Sequence, residues 1–362
     1  MQTGIKCSVF RGGTSKGPYF LKEALPADVA LRDKVLLSVM GSPDVRQIDG
    51  IGGANPLTSK VAMVSRSTRN DADIDYLFLQ VFVDQPRVDI TQNCGNILAG
   101  VGPFAIEQGL VRAERGRTKV RVHMVNSESI AVADIETPGG EVNYDGTARI
   151  DGVPGAAAPI ILDFLDIAGS ACGSLLPTGN TRDVIEGIPV TLIDNGMPVI
   201  VVRAEDMGVT GYETPADLEA NKDLVALKER IRLKAGPMMN LGDVTKKSVP
   251  KVSLIAPAKD GGTISTRTFI PHRIHEAVGV LGAVSVATAA MLPGSVAIDM
   301  AKSSGSGSER QIEVEHPTGF FSVRVGIGKD GRTVERAALL RTARKLMDGT
   351  VYVPRSVWDG HP

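Results

Sequence analysis

Short apolar runs separated by glycine-rich turns set the pattern of this chain. Alternation in residues 5–10 predicts an opening strand, and Arg11-Gly12-Gly13-Thr14-Ser15-Lys16-Gly17 predicts a turn after it. From about Asp28 to Met40, the residues Leu31, Val35, Leu36 and Val39 fall at helical spacing. A second glycine-rich loop, residues 49–60, leads to strands at 61–64 and 76–83. Asn93-Cys94-Gly95-Asn96 then opens an apolar, small-residue helix reaching about Glu107, and residues 119–125 with 129–135 read as a hairpin.

The second half follows a similar rhythm. Strands are expected at 190–193 and 198–202, joined through the strong turn signal Asp194-Asn195-Gly196. A charged amphipathic helix over 215–234 leads to strands at 251–255 and 262–269, a buried helix over 275–290, and a hairpin at 311–315 and 320–325. The order of two strands, buried Gly/Ala helix and hairpin therefore occurs twice. It predicts an α/β protein of two similar lobes with a cleft between them, divided as 1–180 and 181–362, the last strand returning to the first lobe. The Gly/Ser tract 303–308 reads as a mobile loop.

Length agrees with that division, since 362 residues exceed one ordinary core. Hydrophobic residues at 43% and charged residues at 22% are the balance of a soluble globular protein. Forty Lys plus Arg against 41 Asp plus Glu give a formal charge of -1, which removes a general basic footprint for nucleic acid. Aromatics at 4%, with Trp358 the single Trp, argue against base-stacking platforms. No stretch approaches the roughly 20 uninterrupted apolar residues of a membrane span. Residues 1–10 lack the charged-then-apolar order of a signal peptide. The three widely spaced cysteines, Cys7, Cys94 and Cys172, do not form a disulfide framework and read as reduced thiols of a cytoplasmic protein.

Several familiar signatures fail on context. Gly326-Ile327-Gly328-Lys329-Asp330-Gly331 fits G-x-G-x-x-G, but Arg332-Thr333-Val334-Glu335 reads as the return leg of a hairpin, so a turn is expected. Lys60 follows Ser59 rather than preceding a Ser or Thr, so no P-loop is present. At i, i+3, His272 and His275 could share a helix face, but no carboxylate or cysteine lies at a supporting spacing, and no metal site is indicated. No G-x-S-x-G elbow occurs.

Lys60 and Cys94 are the informative pair. Lys60 ends a loop whose glycines allow close approach to an anion. Cys94 stands where unpaired helix amides, those of Gly95 and Asn96 among them, stabilise negative charge. Taken singly, each has an ordinary reading: a small buried hydrophobe and a solvated loop lysine. Thr266, Arg267, His272, Arg273 and His275 precede or open the second buried helix. They suit carboxylates, or else form an exposed basic turn.

Together, RGGTSKG at 11–17, GIGGANPLTSK at 50–60 and NCGNILAGVGPFAIE at 93–107 resemble the PrpF-like isomerases, and within them the branch acting on 4-oxalomesaconate. LLPTGNTRD, DNGMPV, MNLGD and FIPHRIHEAVGVLGAVSVATA continue the likeness in family order. The resemblance implies the diaminopimelate-epimerase-like fold, two related α/β lobes each wrapping a sheet around a central helix, with the active site in the cleft. It implies proton movement on a small tricarboxylate with no organic cofactor or metal, Lys60 and Cys94 being the acid/base residues. Thr14, Ser15, Arg267 and Arg273 are expected to hold carboxylates, with Ser59, Asn93, Gly95, Asn96 and His272 completing substrate binding. The second helix opens His275-Glu276-Ala277-Val278-Gly279 without a cysteine, which disfavours two-thiol racemisation.

Keto–enol tautomerisation, with Lys60 as base and Cys94 assisting, is the expected reaction. A 1,3-allylic double-bond shift and 2-methylaconitate isomerisation are the alternatives within the family. A non-catalytic carboxylate-binding protein is the alternative from another class, and a cysteine hydrolase ranks last. A homodimer is expected only because symmetric dimers are the commonest soluble assembly.

Overall fold

The computed structural model describes residues 1–91, 93–165, 167–302, 309–328, 330 and 334–361. The chain divides into unit 1, Met1–Asp163 with Leu340–Pro362, and unit 2, Phe164–Leu339. That division falls ahead of the residue 180 expected from the sequence.

In unit 1, β1 (Gln2–Gly12) and β2 (Ser15–Leu21) form an antiparallel hairpin. Helix α1 (Val29–Met40) starts where the Asp28 carboxylate accepts from the Leu31 amide, the usual way a first-turn donor is satisfied. Strand β3 (Lys60–Arg66) runs parallel to β2 and antiparallel to β4 (Ile74–Val81), and the short β5 (Val88–Asp89) borders β4. Helix α2 (Gly95–Glu107) follows, then the hairpin of β6 (Gly116–Met124) and β7 (Ser129–Thr137), with β6 parallel to β4. Alternation along β3 and β4 sends Val61 and Leu79 into a core with Phe20 and the α1 side chains Val35, Leu36 and Val39. Burial of each such side chain contributes about 1.5–3 kcal/mol. Helix α2 is apolar nearly all round and packs against β1, β2, β3, β4 and β7.

Strand β8 (Ile160–Leu165) crosses the unit boundary. Unit 2 then repeats the order. Strand β9 (Asp183–Ile185) pairs with β10 (Ile188–Asp194), which forms a hairpin with β11 (Pro198–Arg203). Helices α3 (Pro215–Ala220) and α4 (Lys222–Met238) lead to β12 (Lys251–Pro257), parallel to β11, and β13 (Ile264–Phe269), antiparallel to β12. The fully buried α5 (Val280–Ala289) precedes the hairpin of β14 (Glu309–His316) and β15 (Gly319–Ile327), with β14 parallel to β13. Strand β16 (Val334–Arg341) returns antiparallel to β15, and β17 (Ala343–Pro354) pairs with β1 from end to end. Both units therefore run hairpin, helix, parallel strand, antiparallel strand, apolar helix, hairpin.

Three local readings change. The expected helix at 275–290 begins at Val280, because the preceding segment folds back on β13. There Ile270 N–H donates to the Arg273 carbonyl, His275 N–H to the Thr268 carbonyl, and Gly279 is extended (φ -66, ψ 140). His272 and His275 consequently share a turn, not a helix face. The expected helix at 215–234 is two helices. A Thr214/Asp217 capping box starts α3, and Asn221 ends it while its side chain caps α4 through the Leu224 amide. Beyond Ile327 the chain comes back as β16, and among the described residues no helix follows the glycines. The rest of that turn, at 329 and 331–333, and the tract 303–308 lie outside the described residues. Among the described residues no helix is long and apolar enough to cross a membrane.

Candidate active site

Lys60 is the first residue of β3, and two buried glutamines fix the loop that delivers it. Gln47 Nε2 donates to Ser59 Oγ at 2.7 Å, and Gln80 Nε2 donates to the carbonyls of Ser59 (2.9 Å) and Pro56 (3.1 Å). On β2, Gly17 lies so close that a Cβ there would stand 1.7 Å from the Lys60 carbonyl oxygen. Only a residue without a side chain lets β2 and the start of β3 approach in this way.

Cys94 precedes α2 in an extended conformation (φ -130, ψ 101) and makes no side-chain cap. The first-turn amides of Gly95, Asn96 and Ile97 have no partner within the helix, so this end presents donors and partial positive charge. Lys60 Nζ lies 3.5 Å from Cys94 Sγ and 5.6 Å from the Phe78 ring centroid. Two phenols hold the helix start from behind. Tyr76 donates to the Cys94 carbonyl at 3.2 Å and Tyr19 to the Ile97 carbonyl at 2.5 Å. Burial first, and the nearby Cys94 second, hold both phenols well above their usual range, which keeps them as donors.

The β1–β2 turn closes against the same helix turn. Thr14 N–H approaches Asn96 Oδ1 at 3.5 Å, while Gly13 N–H donates to the Thr342 carbonyl at 2.9 Å. Ser15 is 1% exposed, and its Oγ has no hydrogen-bond partner among the described residues. It shares a face of β2 with Gly17, two residues on, and hence the side against which Lys60 lies. Asn93 Oδ1 is likewise buried without a partner among the described residues, while its Nδ2 donates to Ser127 Oγ. Buried polar atoms are nearly always satisfied, so these two oxygens mark positions for water or a bound group.

Unit 1 thus gathers Thr14, Ser15, Ser59, Lys60, Cys94, Gly95 and Asn96, with Asn93 beside Cys94 in the chain. Arg267, His272 and Arg273 belong to unit 2. The Arg267 guanidinium is engaged by backbone carbonyls, those of Glu213 (3.0 Å), Thr266 (2.9 Å) and Tyr212 (3.5 Å). His272 and Arg273 are exposed on the turn after β13. The other two cysteines are placed differently from Cys94. Burial pushes the Cys7 thiol up to about 11, and burial with the Asp194 carboxylate pushes Cys172 up to about 12. Among the described residues no group of three or more His, Cys, Asp or Glu is arranged to hold a metal.

Sequence reasoning missed Tyr76, Gln47 and Gln80. Gln80 carried a signal, being a polar residue among the inward positions of β4.

An amine and a thiol in contact, at the first-turn amides of α2 and with two buried side-chain oxygens that have no partner among the described residues, form an arrangement able to take protons from carbon acids and return them. The fold around it is that of the diaminopimelate epimerases. The structure of a hydroxyproline epimerase from Agrobacterium vitis matches with a TM-score of 0.54 at 15% identity, over 98% of this chain and 97% of that one. A family model described as PrpF protein matches residues 2–354, and the chain belongs to that family. It is 60% identical over 347 residues to a (4E)-oxalomesaconate Delta-isomerase of Novosphingobium sp. (strain KA1), covering 96% of this chain and 97% of that one. It is 57% identical over 359 residues to a 4-oxalomesaconate tautomerase of Pseudomonas putida, covering 99% of each. The crystal structure of a methylitaconate-delta-isomerase matches with a TM-score of 0.88 at 39% identity, over 98% of this chain and 97% of that one. The protein is an isomerase.

Proposed function

We propose that this isomerase acts on 4-oxalomesaconate, with Lys60 as the base and Cys94 assisting. The observation that carries the reading is the 3.5 Å contact between Nζ and Sγ at the uncapped start of α2, in a chain so similar to two enzymes named for that compound. Lys60 Nζ is the base in this reading. It removes a proton from carbon, or from the enol oxygen, of the 2-oxo tricarboxylate. The resulting dienolate spreads negative charge toward the amides of Gly95, Asn96 and Ile97, which meet it without reorganisation. Cys94 or Lys60 then returns a proton at a different atom. Ser15 Oγ, Asn93, Asn96, Ser59 and the Thr14 backbone orient the carboxylates. No organic cofactor or metal enters these steps.

Keto–enol tautomerisation is the primary reading. A 1,3-allylic double-bond shift is the second, favoured by the relative named as a Delta-isomerase. Both begin with the same proton removal and differ in where the proton returns.

Proton NMR with 4-oxalomesaconate in D2O, run beside the Lys60→Met variant, tests the proposal. Deuterium enters carbon rapidly in the wild type, and the labelled position separates the two readings. In a folded Lys60→Met protein kcat falls by about 10³ or more, within or beyond the usual worth of a positioned base. A near-normal kcat there removes Lys60 from the mechanism.

A further inference from the structure

The same pair has a second chemistry that isomerisation does not use. Cys94 is 8% exposed and Cys7 is 7% exposed, so accessibility does not distinguish these two thiols. Their neighbours do. Cys7 has the Asp348 carboxylate nearby, and Cys172 has Asp194, in each case a negative charge that opposes a thiolate. Cys94 instead faces the Lys60 nitrogen at 3.5 Å, at the start of α2, with its side chain making no cap. Thiolate character is what makes a cysteine reactive to peroxide, and a sulfenic acid condenses with a nitrogen held beside it.

We infer that Cys94 is a peroxide-oxidised site whose sulfenic acid is captured by Lys60 as a covalent sulfur–nitrogen bond. Hydrogen peroxide transfers one oxygen to Sγ, giving Cys94–SOH and water. The Lys60 amine then attacks sulfur, the S–O bond breaks, and the oxygen leaves as water with the displaced proton. Two hydrogens are lost overall, and sulfur bears the oxidation. Lys60 has the flexible four-carbon stem needed to close the remaining distance, whereas a rigid neighbour would not. The bond removes the proposed base and its thiol partner together, yet a thiol reductant reverses it, so it guards Cys94 from the irreversible acids.

The test uses the purified full-length protein, hydrogen peroxide and mass spectrometry, and its readout does not depend on which substrate the enzyme takes. The intact mass is expected to fall by about 2 Da and to recover with dithiothreitol. Trypsin no longer cleaves after Lys60, so residues 47–66 are recovered joined to residues 88–112. In Lys60→Met the link is lost and dimedone traps the sulfenic acid at Cys94, while Cys94→Ser shows neither product. Three results would overturn the inference. One is Cys94 carrying about 32 or 48 Da of added oxygen with Lys60 free in the wild type. Another is a link heavier than the native chain by about 14 Da, which retains the oxygen that condensation expels. The third is oxidation of Cys7 or Cys172 with Cys94 untouched.

Discussion

Lys251 offers a stability test whose sign changes the usual expectation for surface charge. It opens β12 opposite Val199 of β11, and burial, with the positive Arg232 acting in the same direction, lowers it from 10.5 to about 8. No carboxylate contributes to that balance among the described residues. The drop corresponds to roughly 3 kcal/mol of preference for the neutral form. Below pH about 8 the lysine is charged in both the folded and unfolded chain, so the folded state carries the whole cost of burying the charge. Between about 8 and 10.5 the unfolded chain holds a proton that the folded one lacks, and stability rises with pH. Above the unfolded value the cost is gone. Lys251→Met keeps an apolar stem and removes the ammonium, so it should stabilise unit 2 by about 1–3 kcal/mol at pH 7. That gain should shrink by about half near pH 9.5 and vanish by about pH 10.5. Urea unfolding followed by far-UV circular dichroism at the two lower pH values measures it. Trp358, in unit 1, reports that unit separately by fluorescence. A gain of equal size at both pH values, or a loss at pH 7, would show that the reasoning about Lys251 is wrong.

Two further substitutions separate scaffold from chemistry. Gly17→Ala drives a methyl onto the Lys60 carbonyl, so a destabilisation of about 3 kcal/mol or more is expected with activity lost; unchanged thermal unfolding would refute the close approach. Ser15→Ala deletes a buried hydroxyl that satisfies no partner among the described residues, so stability should hold within about 1 kcal/mol. Its KM should rise several-fold while kcat changes little, and an unaltered KM would take Ser15 out of substrate binding.

Much of the strand framework was legible because one face of each strand is buried and alternation shows it, as in β4, β6 and β7. Strand β17 was not laid out in this way, since most of its middle is exposed and offers no inward pattern. The start of α5 was misread because His275 to Gly279 is compatible with a helix by composition. What excludes it is a set of non-local hydrogen bonds back to β13. In the site, neither Lys60 nor Cys94 is convincing by spacing, being 34 residues apart, and the family motifs are what joined them. Tyr76 and the two glutamines sit in no motif. Their work depends on which strand lies next to which, and that is set by tertiary pairing rather than by local pattern.

The pairing of β1 with β17 also orders events during synthesis. Strand β1 is made ahead of unit 2, yet its longest partner, matched from Gln2↔Pro354 to Gly12↔Ala343, is made after it. Unit 2 is one uninterrupted stretch, whereas unit 1 is split around it. On a ribosome, then, the strand that leads into the Gly12–Ser15 turn of the site waits for its longest partner until all of unit 2 has been made, and the unit bearing Lys60 and Cys94 is completed only after the unit inserted in it.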